Sequence, residues 1–180
     1  PTTVPPPAPG TFLLAEPRPA PPLALRDPDG ATVDLAALRG SEVLVFFGYT
    51  HCPDVCPATI GTVGSAIAAA DAPVRALFVS VDPERDTPAW LAEFARFMPA
   101  GFTALGGSAA EIRATADAWG VRYARVETGS ADGYAMSHTA DVFLVDATGA
   151  LRAVFPFGTA PEPMTATLDA IAAATAGVGE

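Results

Sequence analysis

The chain has 180 residues, of which 20 are Asp or Glu and 10 are Lys or Arg, so its formal net charge is −10. An acidic chain of this kind has no basic stripe to neutralise phosphates, which argues against a nucleic-acid partner. Half of its residues are hydrophobic, enough for one folded domain of ordinary size. Every cation is an arginine, which excludes a P-loop lysine and a Schiff-base lysine.

Proline dominates the first 22 residues, which hold nine of the 19 prolines of the chain. Because proline has no N–H donor, this composition opposes both helix and sheet. We predict that residues 1–22 form an extended, flexible tether, followed by one folded domain at residues 23–176 and a tail at residues 177–180. Such a tether suits a domain held away from a membrane, although a tail without a role fits the composition equally well.

Strands and helices alternate through the first half of the folded part. Continuous apolar runs with β-branched and aromatic residues are typical of strands buried on both faces. In chain order, the predicted elements are a strand pair at residues 23–26 and 31–35 with a turn at Gly30, strands at 43–49 and 74–81, and helices at 58–70 and 88–98.

The second half continues this alternation and ends on a helix. Ser108 and Glu111 match a capping box, which predicts a helix that runs to Trp119. The remaining predicted elements are strands at residues 102–105, 121–127, 140–146 and 150–155, a hairpin tip at 128–133, and a last helix that starts at Pro161 and ends before Gly177. This order predicts a mixed α/β sheet flanked by helices.

The two cysteines stand where the first buried strand meets its helix, which is the edge where open α/β sheets handle ligands. Cys52 and Cys56 are four positions apart, so in a helical turn they lie on one face roughly 6 Å apart. The helix N-terminus favours thiolate over thiol. We expect this pair to be reactive or metal-binding. A structural disulfide is the alternative, although so short a loop gives little stability.

His138 is the second of only two histidines and lies just before a predicted buried strand, whose start could adjoin the cysteine loop. Two thiolates and one imidazole form a soft donor set that suits Cu(I), whereas structural zinc requires a fourth strong ligand. Three residues could supply such a donor without further support from the sequence: Met136, Asp54 and Asp141. On residue type alone, a core histidine that bonds to backbone is the favoured interpretation of His138.

Three segments together resemble the Sco/SenC family of copper-binding cytochrome oxidase assembly proteins. They are GYTHCPDVCP at residues 48–57, VSVDPERDTP at 79–88 and SHTADVFLVDATG at 137–149. The resemblance implies a thioredoxin-like fold with an added N-terminal strand pair and an inserted hairpin. It places the family's copper ligands on Cys52, Cys56 and His138.

The same resemblance implies roles for three further residues. His51 and Asp54 match the motif without being primary ligands, and Asp86 is expected to support the site or a partner contact. Asp86 is also explained as an ordinary helix cap before a proline. Four aromatic residues at helical spacing are expected in the core: Trp90, Phe94, Phe97 and Trp119.

The function implied by the resemblance is that of a copper metallochaperone. It would carry Cu(I), and Cu(II) with an added oxygen ligand, to the dinuclear copper (CuA) site on subunit II of cytochrome c oxidase. A second periplasmic copper carrier is a further partner, and a monomer is expected. The resemblance also implies an N-terminal anchor, outside this chain, that holds the domain on the periplasmic face of the inner membrane.

Two other functions use the same cysteine pair. A thiol–disulfide oxidoreductase would cycle Cys52 and Cys56 and reduce the copper-ligand cysteines of the oxidase. Ordinary thioredoxin-like oxidoreductases, however, have two residues between the cysteines and a cis-proline in place of the segment at residues 137–139. A peroxiredoxin-like thiol peroxidase would depend on the first cysteine and would need neither Cys56 as a ligand nor His138.

Overall fold

Ten strands and four α-helices make up the fold of the computed structural model, which describes residues 12–129 and 133–176. In chain order the elements are β1 (Phe12–Pro19), β2 (Ala24–Arg26), β3 (Thr32–Asp34), a 3-10 turn (Leu35–Leu38), β4 (Glu42–Gly48), α1 (Val55–Ala69), β5 (Val74–Ser80), α2 (Pro88–Ala95), β6 (Phe102–Leu105), α3 (Ala109–Trp119), β7 (Tyr123–Glu127), β8 (Tyr134–His138), β9 (Val142–Val145), β10 (Ala150–Phe155) and α4 (Pro161–Ala176).

The central sheet is mixed and has the strand order β1-β10-β9-β4-β5-β6. β4, β5 and β6 are parallel, whereas β9 runs antiparallel to β4, and β10 antiparallel to β9. The register of β4 and β5 pairs Gly48 with Ser80 at their last residues. The loops that follow these two strands therefore begin side by side, at the edge where the sequence places the cysteines.

Both faces of β4 are covered, which is why its sequence is apolar without alternation. Val45 and Phe47 face a cluster that includes Ile112 of α3. Leu44 and Phe46 face the opposite cluster, which is completed by side chains of α1, α2 and α4. The predicted mixed α/β sheet with helices on both faces is confirmed.

β1 lies within the segment predicted as a tether and pairs antiparallel with β10, from Phe12 opposite Val154 to Pro19 opposite Ala150. The register shifts between Leu13 and Arg18, and the strand is at the sheet edge. An edge strand tolerates proline because one side of its backbone needs no partner. Residues 12–19 thus differ from the prediction. Residues 1–11 and the tail at 177–180 lie outside the described residues.

Two small hairpins stand apart from the main sheet, and they correspond to the added strand pair and the inserted hairpin that the resemblance implies. β2 pairs with β3 next to a turn in which Gly30 has a φ of +85°, and β7 pairs with β8. The sequence does not predict β8, because its side chains are mostly half-buried and apolar and polar residues do not alternate clearly. Of the predicted hairpin tip at 128–133, residues 130–132 lie outside the described part.

Helix boundaries differ by a few residues from those predicted. α1 begins at Val55 instead of residue 58, so Cys56 lies in its first turn. α2 ends at Ala95 instead of residue 98. The capping box before α3 is present, with Ser108 and Glu111 each bonded to the other's backbone N–H. Across the described residues, no helix has both the length and the apolar composition needed to cross a membrane.

Candidate metal centre

Cys52, Cys56 and His138 meet at the carboxyl edge of β4. One ligand atom from each lies within 4.8 Å of the others, and within the described ranges no other group of Cys, His, Asp and Glu is arranged to hold a metal ion. The Sγ of Cys56 is 3.7 Å from Nε2 of His138. Both cysteines are buried free thiols, so the disulfide alternative is not formed here.

The cysteines are positioned by the turn that leads from β4 into α1. The backbone N–H of Cys52 donates to the carbonyl of Tyr49 at 3.3 Å, which tightens the turn after the strand. The backbone N–H of Cys56 points at Sγ of Cys52 at 3.4 Å. This N–H is one of the unpaired donors of a helix N-terminus, and it stabilises negative charge on the Cys52 sulfur.

His138 is the last residue of β8 and presents Nε2 to the cysteines. Its Nδ1 lies 2.9 Å from the carbonyl oxygen of Thr139. A carbonyl oxygen can only accept, so Nδ1 carries the hydrogen, and in the neutral ring Nε2 has the lone pair. The ring of Tyr49 packs edge-to-face against the imidazole, with 5.9 Å between centroids. The imidazole is thereby held in the tautomer that a metal ligand requires.

Burial raises the pKa of the Cys56 thiol above its ordinary value, and charge on the neighbouring Cys52 raises it further. The expectation that the helix N-terminus favours thiolate at both cysteines is therefore wrong for Cys56. Desolvation outweighs the helix end at this site because the side chain is only 3% exposed. A metal ion that binds here displaces the Cys56 proton, and this couples binding to proton release.

Asp86 ties the cysteine loop to the body of the protein. Its side chain accepts from the Thr50 backbone N–H at 3.0 Å, from the Thr50 hydroxyl at 2.6 Å and from the Ser80 hydroxyl at 2.5 Å. The N-cap of α2 is instead Thr87, whose hydroxyl accepts from the N–H of Trp90. Asp86 therefore supports the loop, as the resemblance implies, and is not the helix cap.

His51 points away from the three ligands. Its Nδ1 lies 3.5 Å from Asp86 Oδ1, and its ring stacks on Trp90 with 5.4 Å between centroids.

Trp90 and Phe97, which the sequence predicts to be core residues, are 48% and 85% exposed. That prediction is wrong for both. Trp90 is exposed because α2 covers the sheet with its opposite face, through Leu91 and Phe94, and Phe97 lies beyond the end of α2 at Ala95. Trp119 is buried, as expected.

The suggested fourth donors differ in their placement. Asp54 is exposed at the N-cap position of α1, and neither it nor Asp141 belongs to the group of converging ligand atoms. Burial raises the pKa of the Asp141 carboxyl. Met136 packs against the small cluster that contains Tyr49 and both cysteines.

The hairpin that carries His138 is fastened by residues that the sequence analysis did not single out. Arg85 donates from Nε to Asp82 at 2.6 Å and from Nη1 to the carbonyl of Tyr134 at 2.9 Å. The Arg85 guanidinium also covers the Tyr134 ring at 3.7 Å, and the Tyr134 hydroxyl donates to Asp82 at 2.8 Å. Asp82 and Arg85 belong to the VSVDPERDTP segment. The match of this segment to the family was the one feature of the sequence that could have pointed to their role.

Fold and site together define a thioredoxin-like domain with a Cys₂His centre for a soft metal ion. The family model described as SCO1/SenC matches residues 15–173. The chain belongs to this family, and the predicted membership is confirmed. An SCO2-like protein of Rickettsia felis is 30% identical over 142 residues, which cover 77% of this chain and 69% of that protein.

Solved structures agree with this assignment. The structure of Bradyrhizobium japonicum ScoI with copper bound is 37% identical, has a TM-score of 0.75, and matches over 86% of this chain and 99% of that one. BsSco, described with a disulfide switch and as a member of the Sco family of cytochrome c oxidase assembly proteins, is 26% identical with a TM-score of 0.62, over 87% and 96% of the two chains. The thioredoxin-like fold with its added hairpins is thus confirmed.

Proposed function

We propose that this protein binds one copper ion through Cys52, Cys56 and His138 and delivers it during the assembly of cytochrome c oxidase. The observation that carries the proposal is the convergence of the three ligand atoms within 4.8 Å. The copper-bound relative from Bradyrhizobium japonicum and the family membership support the choice of metal.

The donor set favours Cu(I) as the cargo. Two thiolate sulfurs and one imidazole nitrogen are soft ligands, and Cu(I) is stable with three donors. Cu(II) prefers more ligands and would add an oxygen donor. The hydrogen bond from His138 Nδ1 to the Thr139 carbonyl fixes the orientation of the ring and leaves Nε2 as the ligating nitrogen.

The proposed recipient is the CuA site on subunit II of cytochrome c oxidase, with a second periplasmic copper carrier as a further partner. Transfer would proceed by ligand exchange, in which thiolates and imidazoles of the partner replace those of this chain one at a time. The exposed residues beside Cys52 leave the edge of the centre open to an approaching partner. The net charge of −10 would favour a partner that presents basic residues.

We further propose that the protein is a monomer on the periplasmic face of the inner membrane, held there by an anchor ahead of this chain. The proline-rich N-terminal composition and the resemblance support this location. Cell fractionation of the native gene product, with and without carbonate extraction, tests it. Recovery of the protein in the cytoplasmic fraction would contradict it.

Anaerobic titration of the reduced protein with Cu(I), in competition with a chromophoric chelator, tests the copper proposal. We expect one ion per chain, and at least about a hundredfold weaker binding in Cys52→Ala and in His138→Ala, because each loses one of three ligands. His51→Ala is the matched control, since His51 adjoins the loop without facing the ligands. Binding that is indifferent to His138 would overturn the proposal.

A second candidate function is thiol–disulfide exchange, which the paired free thiols favour. Cys52 Sγ accepts from the Cys56 N–H at 3.4 Å, and Cys52 is the more exposed of the two cysteines, so Cys52 would attack a partner disulfide. Cys56 would then resolve the mixed disulfide, which leaves Cys52–Cys56 oxidised and two reduced thiols on the partner. Turnover of a model disulfide that survives His138→Ala but is lost in Cys52→Ala would favour this function over copper delivery.

A further inference from the structure

A cavity of about 310 Å³ lies at the pole of the domain opposite the cysteines. Four segments line this open cavity: the start of β4, the loop before β5, the turn between β9 and β10, and the last turns of α4. Glu42 and Gly48 are the two ends of β4, six residue steps apart, which at about 3.3 Å per step separates this cavity from the metal centre by roughly 20 Å.

Glu42 lines this cavity and is an orphaned polar group. The residue is 2% exposed, and neither of its carboxyl oxygens has a hydrogen-bond partner within the described part of the chain. Buried polar groups are nearly always paired, so each exception requires an explanation such as a bound ion or ligand. Glu42 is among the residues that line an open volume large enough to hold one, although both of its carboxyl oxygens are themselves buried in the structure.

The charges around Glu42 are predominantly negative. Asp146 and Asp169 act on it as carboxylates, and Arg152 is the cation among its neighbours. The Nη1 of Arg152 donates to Asp146 at 2.7 Å, so it is already engaged. Among the described residues that line the cavity there is no Arg, and the other side chains are small: glycine, alanine, proline, serine and threonine.

We propose that this cavity is a binding site for a guanidinium or alkylammonium group, with the Glu42 carboxylate, turned from its buried position toward the cavity, as its anchor. Such a group supplies the N–H donors that the two orphaned oxygens lack and neutralises the local negative charge. Walls that include Ala72, Pro73 and Ala172 suit the alkyl stem that carries it. A free small-molecule cation and an arginine or lysine side chain of a polypeptide share this chemistry.

A divalent metal ion fits the site less well. Asp146 is occupied by Arg152 and by the Thr148 N–H and hydroxyl. Asp169 Oδ1 accepts from the backbone N–H of Asp71 at 2.9 Å. One free carboxyl is too few hard oxygen ligands for Ca²⁺ or Mg²⁺.

Protonation of Glu42 makes the binding pH-dependent. Desolvation by burial, with Asp146 and Asp169 nearby, raises the pKa of Glu42 to about 8. At pH 6 about one molecule in a hundred carries the carboxylate, whereas at pH 9 most do. Because a cation binds the ionised form, its affinity at pH 6 is expected to be about a hundredfold lower than at pH 9.

The test is an NMR titration of the 180-residue chain with methylguanidinium at pH 9 and pH 6, following the backbone amides of Gly40, Ala147 and Thr148. Tetramethylammonium, which has the charge but no N–H donor, is the matched ligand control. A capped tripeptide with a central arginine distinguishes a polypeptide side chain from a free cation as the source. Glu42→Gln removes the anchor, and Glu162→Gln is the matched control because Glu162 is exposed on α4.

We expect saturable shifts with methylguanidinium at pH 9 that are lost in Glu42→Gln and kept in Glu162→Gln. Tighter binding of the tripeptide would identify the polypeptide source, and binding of methylguanidinium alone the free cation. The ¹³C-detected titration of the Glu42 carboxyl provides a readout on the unchanged protein, since bound ligand must lower its pKa. Shifts that do not saturate, that tetramethylammonium reproduces, or that leave the Glu42 titration unchanged would overturn the proposal.

Discussion

The Sγ of Cys56 lies 3.7 Å from Nε2 of His138, although 82 residues separate them in the chain. One is held by the first turn of α1 and the other by the end of β8, two elements that share no backbone hydrogen bonds. The centre therefore depends on two separate fastenings: Asp86 under the cysteine loop and Arg85 against the hairpin. The contacts of Asp86 and those of Arg85 can each be removed by a substitution that leaves Cys52, Cys56 and His138 unchanged.

Asp86→Asn should destabilise the protein by about 2–3 kcal/mol and weaken Cu(I) binding by about tenfold. The amide nitrogen of asparagine cannot accept from Thr50 or Ser80, so at least one buried donor is left unpaired. Chemical denaturation and chelator competition measure the two effects. Glu93→Gln is the control, because Glu93 is exposed and its pairing with Arg96 is worth little. Equal behaviour of both variants would refute the role given to Asp86.

Arg85→Lys should loosen the hairpin that carries His138. A lysine cannot reach Asp82 and the Tyr134 carbonyl together, because it lacks the planar fork of arginine. We expect a loss of about 1–2 kcal/mol of stability and faster hydrogen exchange of the β8 amides, together with weaker Cu(I) binding.

Arg113→Lys is the matched control for the hairpin. Its guanidinium also covers a tyrosine ring, that of Tyr123 at 3.7 Å, but its ion pair with Asp117 is exposed. This variant should leave both β8 exchange and Cu(I) affinity nearly unchanged. If hydrogen exchange of the β8 amides were unchanged in Arg85→Lys, Arg85 would not hold the hairpin in place.

Gly48→Ala should displace a copper ligand directly. A Cβ at this position would lie 2.8 Å from Cys56 Sγ and 2.8 Å from Phe78 Cε2. Because the site is packed, we expect a loss of about 1–3 kcal/mol in the free energy of unfolding and weaker Cu(I) binding. Gly61→Ala is the control, since a Cβ there meets nothing within 4 Å and should stabilise α1 by about 0.5–1 kcal/mol. Unimpaired Cu(I) binding by Gly48→Ala would contradict this packing.

Glu42 should make the folded state less stable as the pH rises. Its pKa is raised from 4.5 to about 8 in the folded protein, so below about pH 4.5 both states hold the proton and the contribution is fully present. Between these values only the unfolded state releases the proton, and the free energy of unfolding falls by up to about 1.4 kcal/mol per pH unit. Glu42→Gln should remove this slope in denaturation curves from pH 5 to 8. The same slope in the variant would show that other groups cause it.

Local sequence patterns predicted most of the strands, helices and turns, because the residues that form each pattern are neighbours in the chain. The apolar run of β4, the capping box at Ser108 and the turn at Gly30 each formed as expected. Trp90 was misplaced because helical spacing tells which residues share a face of a helix and not which face is covered. β1 was missed because its prolines are tolerated only at a sheet edge, a position set by the strand order.

The sequence by itself determined that the two sulfurs are neighbours, because the cysteine pair lies within one turn, and the resemblance carried by its three motifs indicated copper. It also determined the alternation of strands and helices that yields the mixed sheet. Only the tertiary structure decided that His138 joins the cysteines, that Asp86 serves the loop, and that burial keeps the Cys56 proton in place. These properties depend on distances and desolvation between segments far apart in the chain, and only the packed fold fixes them.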